Sequence, residues 1–378
     1  MITGIICEYN PLHNGHKKQL DFIKRDDPEG TTVCLMSGNY VQRGQPAIFP
    51  RAVRAKAAIE SGADLVLEMP VTYALSSAEG FAAGGVAILS DICDRLCFGA
   101  ETPDSNALWK IAEALCSQDF SVLLRPQLDK GLSFPAARQQ ALTAMGIDST
   151  LLERPNNILA VEYCKAIISQ KVQIKPLIIE RSGDYHDTNV DLQNPSATAL
   201  RRLINEGSAW QPYTPCTDCF RGASVHTVKA GERAILARLR TMTDAEFEAL
   251  PYGSEGLWRK LMHASRREAT LEQILTAVKS KRYTRSRLDR MVMCAFLGIT
   301  AKQLQTPPAY VRVLAFNEKG RQLLSSCKKE TEFINIGCST DAPYQLLENR
   351  CDDLYGLFCQ ETPDAPGTNH TERVYYRK

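Results

Sequence analysis

The chain has 378 residues, 44% of them hydrophobic and 23% charged, with a formal net charge of +2. That is the composition of an ordinary globular protein long enough for two cores. No apolar run approaches the ~20 residues of a membrane span, and no basic region followed by a long apolar segment opens the chain, so the expected location is cytoplasmic. The thirteen cysteines, scattered from Cys7 to Cys359, lack the regular spacing of a secreted scaffold, so most are expected to be reduced and many buried.

The run Ile2-Thr3-Gly4-Ile5-Ile6-Cys7 reads as a buried strand that gives way to Asn10-Pro11 and then to a helix carrying Leu20, Phe22 and Ile23. His13 and His16 fall at the start of that helix. Three residues apart, they share one side of its first turn, where free backbone N–H groups and the positive end of the helix dipole favour an anion. Gly15 between them carries no Cβ, so a nucleotide has room to approach the backbone.

Thr31–Met36 reads as a second strand, followed by the loop 37–46, a helix from about Pro50 to Ser61, a third strand at Asp64–Glu68, a helix from Ser77 to Leu89, and a fourth strand leading into Gly99-Ala100-Glu101. Strands alternating with helices at this spacing predict right-handed crossovers and a parallel sheet, with the histidines, the 37–46 loop and Gly99 on one edge. From Asn106 to about Gln170 the pattern is helical, and Pro155-Asn156-Asn157 opens the last helix of that stretch. Val172–Glu180 alternates toward a fifth strand that ends at Arg181. After Asp184-Tyr185-His186-Asp187 comes Ser196-Ala197-Thr198-Ala199-Leu200-Arg201, a capped helix start with arginine one turn later, which supplies hydroxyls, backbone donors and a forked cation for a polyphosphate.

Trp210–Pro215 reads as a linker. Beyond it, Glu232–Leu250, Ser254–Ala264, Leu271–Val278 and Arg285–Leu297 carry helical periodicity. Val311–Phe316 and Glu332–Ile336 read as short strands around a helix at Glu318–Cys327, and Pro363–Lys378 as a polar tail. Cys216-x-x-Cys219 has ligand-like spacing, but zinc needs two further ligands and Cys93 with Cys97 is the other close pair, so no metal site is assigned. Basic residues concentrate in the second half. Lys279, Lys281, Arg282, Arg285, Arg287 and Arg290 put six cations within twelve residues around Tyr283, a composition that suits a phosphate backbone with an unstacked base or, equally, a solvated helix face.

Strand followed by His-x-Gly-His resembles the signature of the nucleotidylyltransferase superfamily, and Ser196-Ala197-Thr198 with Arg201 resembles its second signature. The longer string Glu8-Tyr9-Asn10-Pro11-Leu12-His13-Asn14-Gly15-His16 is similar to the bacterial tRNA(Met) cytidine acetate ligases, as are Pro155-Asn156-Asn157, Lys281-Arg282-Tyr283-Thr284-Arg285 and Tyr310–Asn317. The resemblance covers nearly the whole chain, more loosely after Trp210; Leu12 stands where the family more often has Phe, and Ala160 where it has Gly. It implies an α/β fold: residues 1–209 form a Rossmann-like nucleotidylyltransferase domain with a five-stranded parallel sheet, and residues 210–378 a mainly helical RNA-binding domain. It further implies that acetate and ATP form acetyl-adenylate, which acetylates N4 of the wobble cytidine of elongator tRNA(Met). Carried onto this sequence, ATP contacts fall on Ile6, Cys7, Glu8, Tyr9, Asn10, Pro11, His13, Asn14, Gly15, His16, Gln19, Gly99, Asn156 and Arg181, with Ser196, Thr198 and Arg201 closing the site. Mg²⁺ is expected with the ATP, although no carboxylate cluster identifies itself as its ligand. RNA contacts are expected at Lys279, Lys281, Arg282, Tyr283, Arg285 and Arg287. Two other readings use the same motifs: an adenylyltransferase for a small phosphorylated metabolite, which has no use for the basic second half, and an RNA-binding protein with a degenerate nucleotide site, which has no use for intact His13, Gly15 and His16.

Overall fold

A computed structural model describes all residues except 182–194, 328–331, 339–342, 362–366 and 368–370. Its centre is a sheet whose strands β1 (Ile2–Cys7), β2 (Thr31–Ser37), β5 (Leu65–Met69), β6 (Arg95–Ala100) and β7 (Lys175–Glu180) run parallel in the spatial order β7-β6-β1-β2-β5. The chain steps outward from β1 to β2 and β5, then returns to the other side of β1 for β6 and β7. The direction of winding therefore reverses between β1 and β6, the point at whose strand carboxyl ends open α/β sheets generally bind their ligands. Strands β3 (Tyr40–Val41) and β4 (Gln45–Pro46) form a small separate hairpin in the loop that follows β2.

Helix α1 (Asn14–Asp26) buries Leu20 and Ile23, and α2 (Arg51–Glu60) buries Ala55, Ala57, Ala58 and Ile59, both among the residues that cover one face of the sheet. The helices Ala78–Leu89, Ser105–Cys116 and Pro155–Gln170 cover the other face. A second bundle, made of Val228–Thr241, Leu257–Ser265, Leu271–Val278 and Arg285–Leu297, has its own core around Leu239, Phe247, Ile274 and Met291. The long helix expected at 232–250 breaks at Met242, because Thr243 and Glu246 form a reciprocal capping box that starts a new turn at Asp244.

The sheet is larger than the five strands expected. β8 (Val311–Phe316) pairs antiparallel with β5, and β9 (Phe333–Asn335) and β10 (Tyr375–Tyr376) both pair with β8, giving eight strands among the described residues. All five residues of β5 are buried, so an open edge there would leave a row of backbone groups unpaired. β8, buried at five of its six residues, satisfies them. The chain past residue 310 thus returns to the sheet that the 209/210 boundary assigned to the first half, and the last residues, expected as a polar tail, contribute a strand. A buried ion cluster holds this return in place: Arg51 pairs with Glu68, Asp352 and Glu372 at 2.7–2.9 Å, and Arg312 with Glu348 at 3.1 Å and Asp352 at 3.3 Å.

No helix among the described residues is long and apolar enough to cross a membrane. Eleven cysteines take no part in a disulfide among the described residues, seven of them buried, and Cys216 is joined to Cys219 in a disulfide rather than left as a pair of metal ligands.

Candidate nucleotide and RNA sites

The two histidines form the cap of α1. His13 is the N-cap residue with extended backbone, and its Nδ1 accepts from the Gly15 N–H at 3.1 Å; His16, three residues on, accepts the His13 N–H through its own Nδ1 at 3.3 Å. Imidazoles thus play the two parts usually taken by Ser/Thr and Glu in a capping box. The rings stack 3.7 Å apart at 22°. Gly15 also leaves room for the His13 ring, since a Cβ on it would sit 3.0 Å from that ring, a tighter contact than side chains ordinarily make.

Because both Nδ1 atoms accept from the backbone, both protons belong on Nε2. Charging either ring is opposed. Burial, then Arg181 and Arg201, push His13 down to about 3, and burial, His13 and Arg181 hold His16 well below the usual imidazole range. The histidines are therefore neutral donors, not cations. His13 is 1% exposed, and its Nε2 has no hydrogen-bond partner among the described residues. A buried N–H left without an acceptor costs about 1–3 kcal/mol, and a ligand oxygen removes that cost.

The remaining predicted ATP contacts lie on the same edge. Tyr9 has left-handed backbone, φ +45°, and its ring packs 4.9 Å from that of His16. Asn10 Oδ1 accepts from the Ile48 N–H at 2.7 Å, and Pro11 follows it through a cis peptide. Glu8 Oε1 accepts from the Gln42 N–H at 2.8 Å. Asn14 donates to the Pro212 carbonyl at 3.2 Å, and Gln19 to that of Cys97 at 3.2 Å. Ile6 and Cys7 end β1 as packing residues; a Cβ on Gly85 would strike Ile6, and the Cys7 thiol, raised by burial, lies in the core shared with Cys34.

Across the reversal point, Gly99 lies beneath the Arg181 side chain, 3.5 Å from where its Cβ would be. Arg181 Nη1 donates to Asn156 Oδ1 at 3.1 Å. Glu101, which sequence reasoning passed over, organises this side: its two oxygens accept from Asn156 N and Nδ2 and from Asn157 N at 2.7–3.1 Å, capping the helix that begins at Pro155. The one signal for it in the sequence is its place directly after the strand exit Gly99-Ala100. Ser196 caps the helix Ala197–Asn205, Thr198 receives Arg201 Nη2 at 3.1 Å, and Arg201 Nη1 reaches the Asn10 carbonyl at 2.7 Å. The two signatures, nearly 190 residues apart in the chain, thus meet side chain to main chain. The Asp184–Asp187 stretch lies outside the described residues.

The described residues present no all-protein cage for Mg²⁺, an ion that usually takes one or two carboxylates together with substrate phosphates. Glu8 and Glu101 are engaged by N–H donors, and no group of three or more His, Cys, Asp or Glu among the described residues is arranged to hold a metal.

The basic segment is partly neutralised by the protein itself. Arg285 is bidentate to Glu272 at 2.7–2.8 Å and also bonds Asp289, Arg282 pairs with Glu255, and Arg287 donates to the Tyr252 carbonyl at 2.8 Å. Tyr283, expected as a stacking platform, is 5% exposed; its hydroxyl bonds Glu255 and Arg287 lies over its ring, so the ring belongs to the helical core and presents no face to a base. Lys279, Lys281, Arg282 and Arg285 remain exposed.

Residues 1–366 match the family model described as HIGH Nucleotidyl Transferase. The tRNA(Met) cytidine acetate ligase of Acetivibrio thermocellus is 37% identical over 399 aligned positions, covering 96% of each chain, and that of Alkaliphilus metalliredigens is 34% identical with 100% and 99% covered. Among solved structures, apo Thermotoga maritima TmcAL superposes with a TM-score of 0.91 at 28% identity, and its complex with alpha-thio ATP with 0.87, each covering 99% of both chains. With its capped His-x-Gly-His turn at the reversal point of a parallel sheet and relatives matching end to end, the chain belongs to the tRNA(Met) cytidine acetate ligase family of HIGH nucleotidyl transferases.

Proposed function

We propose that the protein joins acetate to ATP as acetyl-adenylate and passes the acetyl group to N4 of the wobble cytidine of elongator tRNA(Met). The observation that carries the nucleotide half of this reading is the orphaned, buried Nε2–H of His13, with Arg181 and Arg201 close enough to lower the imidazole's proton affinity.

In the first step an acetate oxygen attacks the α-phosphorus of ATP, a P–O bond forms, and pyrophosphate leaves with the electron pair of the bond that breaks. No protein nucleophile is required; the need is alignment and donors for oxygens that gain charge. His13 and His16 supply neutral, fixed N–H donors, and the arginines supply charge to the departing polyphosphate. Neutrality suits the task, because the protonation state stays constant through the physiological range. In the second step the cytidine N4 amine attacks the acetyl carbonyl, a C–N bond forms, AMP leaves, and the amine proton is released.

Support for the RNA half is the family, together with the exposed cations of residues 279–287. The degenerate-site alternative is disfavoured by a cap whose every donor and acceptor is in place. Acetate-dependent exchange of pyrophosphate into ATP tests the first step, and transfer of labelled acetate to elongator tRNA(Met) the second. Exchange that proceeds equally without acetate, or product that forms without it, refutes the reading.

A further inference from the structure

Two arginines on α2, one turn apart, are both fully buried and are treated in opposite ways. Arg51 meets three carboxylates. Arg54 meets none within ion-pair distance among the described residues; its guanidinium donates to four main-chain carbonyls, Nε to Phe49 at 2.9 Å, Nη1 to Glu8 at 2.6 Å and Ser37 at 2.9 Å, and Nη2 to Gly38. Glu8 follows β1, Ser37 and Gly38 close β2, and Phe49 precedes α2. One fork thus ties together loops that converge at the nucleotide edge.

The bond to Glu8 reaches furthest. The Glu8 carbonyl belongs to the peptide that enters Tyr9, whose left-handed backbone a non-glycine residue adopts only when its surroundings impose it. Arg54 holds that carbonyl, and Gln42 N–H holds the Glu8 carboxylate from the other side. The Tyr9 ring so placed packs on His16, and His16 stacks on His13. We propose that Arg54 is a positioning residue for the adenylate-forming site: a buried guanidinium that fixes the Glu8–Tyr9 backbone and, through the Tyr9 ring, the orientation of the two histidine donors. This deepens the nucleotide reading given above and rests on it. The geometry asks for arginine specifically, since a lysine ammonium keeps the charge but lacks the planar fork that reaches four carbonyls at once.

The test compares the wild-type chain with Arg54→Lys, using acetate-dependent ATP/pyrophosphate exchange, ATP affinity and ¹⁵N spectra of the histidine rings. The expected result is a folded variant whose exchange kcat falls by about 100-fold, the penalty of roughly 1 Å misplacement, while the spectra show His16 losing its single Nε2–H tautomer. A folded variant with kcat and KM for ATP within about threefold of wild type and unchanged ring spectra overturns the proposal. Should Arg54→Lys not fold, Tyr9→Leu breaks the last link of the same chain and is expected to reproduce the spectral change and the kcat loss; wild-type values in that variant equally overturn the proposal. Absence of acetate-dependent exchange in the wild type counts against the reaction assigned above, whereas ring spectra and ATP affinity still judge Arg54.

Discussion

His13 performs two tasks that a single substitution separates. Its Nδ1 caps α1 by accepting from Gly15, and its Nε2–H is a buried donor without a partner among the described residues. His13→Asn keeps a side-chain oxygen at the N-cap, where Asn is among the best residues, so helix stability is expected to hold within about 0.5 kcal/mol. The same change deletes the Nε2 donor. Removal of one preorganised donor to a developing oxyanion costs about 2.7–4 kcal/mol, or roughly 10²–10³ in kcat. His13→Ala loses the donor and the cap together, adding about 1 kcal/mol of destabilisation. Both variants are therefore expected to lose exchange activity alike, while the thermal midpoint falls clearly only in His13→Ala, and retention of tRNA on a filter is preserved in both. Exchange by His13→Asn within about threefold of wild type refutes the argument, because the donor then contributes less than about 1 kcal/mol.

The remaining predictions concern pH, RNA and the ion cluster. His13 falls from 6.5 to about 3 on folding, so the unfolded chain binds more protons between those values, and the ligand-free protein is expected to lose stability as pH drops from about 6.5 toward 3, by up to about 1.4 kcal/mol per pH unit for this group. Urea titrations at pH 7 and 5 check the sign, and a midpoint that rises on acidification contradicts it. Lys279→Ala and Lys281→Ala are each expected to lower the salt slope of tRNA binding by about 0.9 for every phosphate that the lysine neutralises, with exchange unaffected; unchanged slopes place the RNA elsewhere. Tyr283→Phe, which loses a hydroxyl bond to Glu255 inside the protein, is expected to leave RNA affinity intact, as a filter-binding titration will show. Arg312→Met removes the cation that Glu348 pairs with and leaves Asp352 to Arg51, and is expected to cost about 3–5 kcal/mol in denaturant unfolding; a loss below about 1 kcal/mol refutes the role given to the ion cluster.

The sequence by itself determined the first half of the protein to a large extent. β-branched strands, helix periodicity and turn residues are local signals, and β1, β2, β5, β6 and β7 arise where those signals stand, as does the histidine turn behind β1. The family resemblance pointed to Asn156 and Arg181, and the capped helix start at Ser196 to Arg201, and the structure places all three on the same edge. Tertiary structure alone decided the rest, in each case because the deciding partner lies far away in the chain. β8 reads locally as a short apolar strand, and nothing in Val311–Phe316 says that it pairs with β5, some 250 residues earlier. Tyr283 reads as an aromatic among cations, and only Glu255 and the packing of Arg287 turn it inward. The neutrality of the histidines follows from burial and from Arg181 and Arg201, which a string of letters cannot place beside His13. Arg51 and Arg54 are near neighbours of the same type, yet three carboxylates distributed over 300 residues make one an ion-pair hub, and four carbonyls at converging loops make the other a clamp.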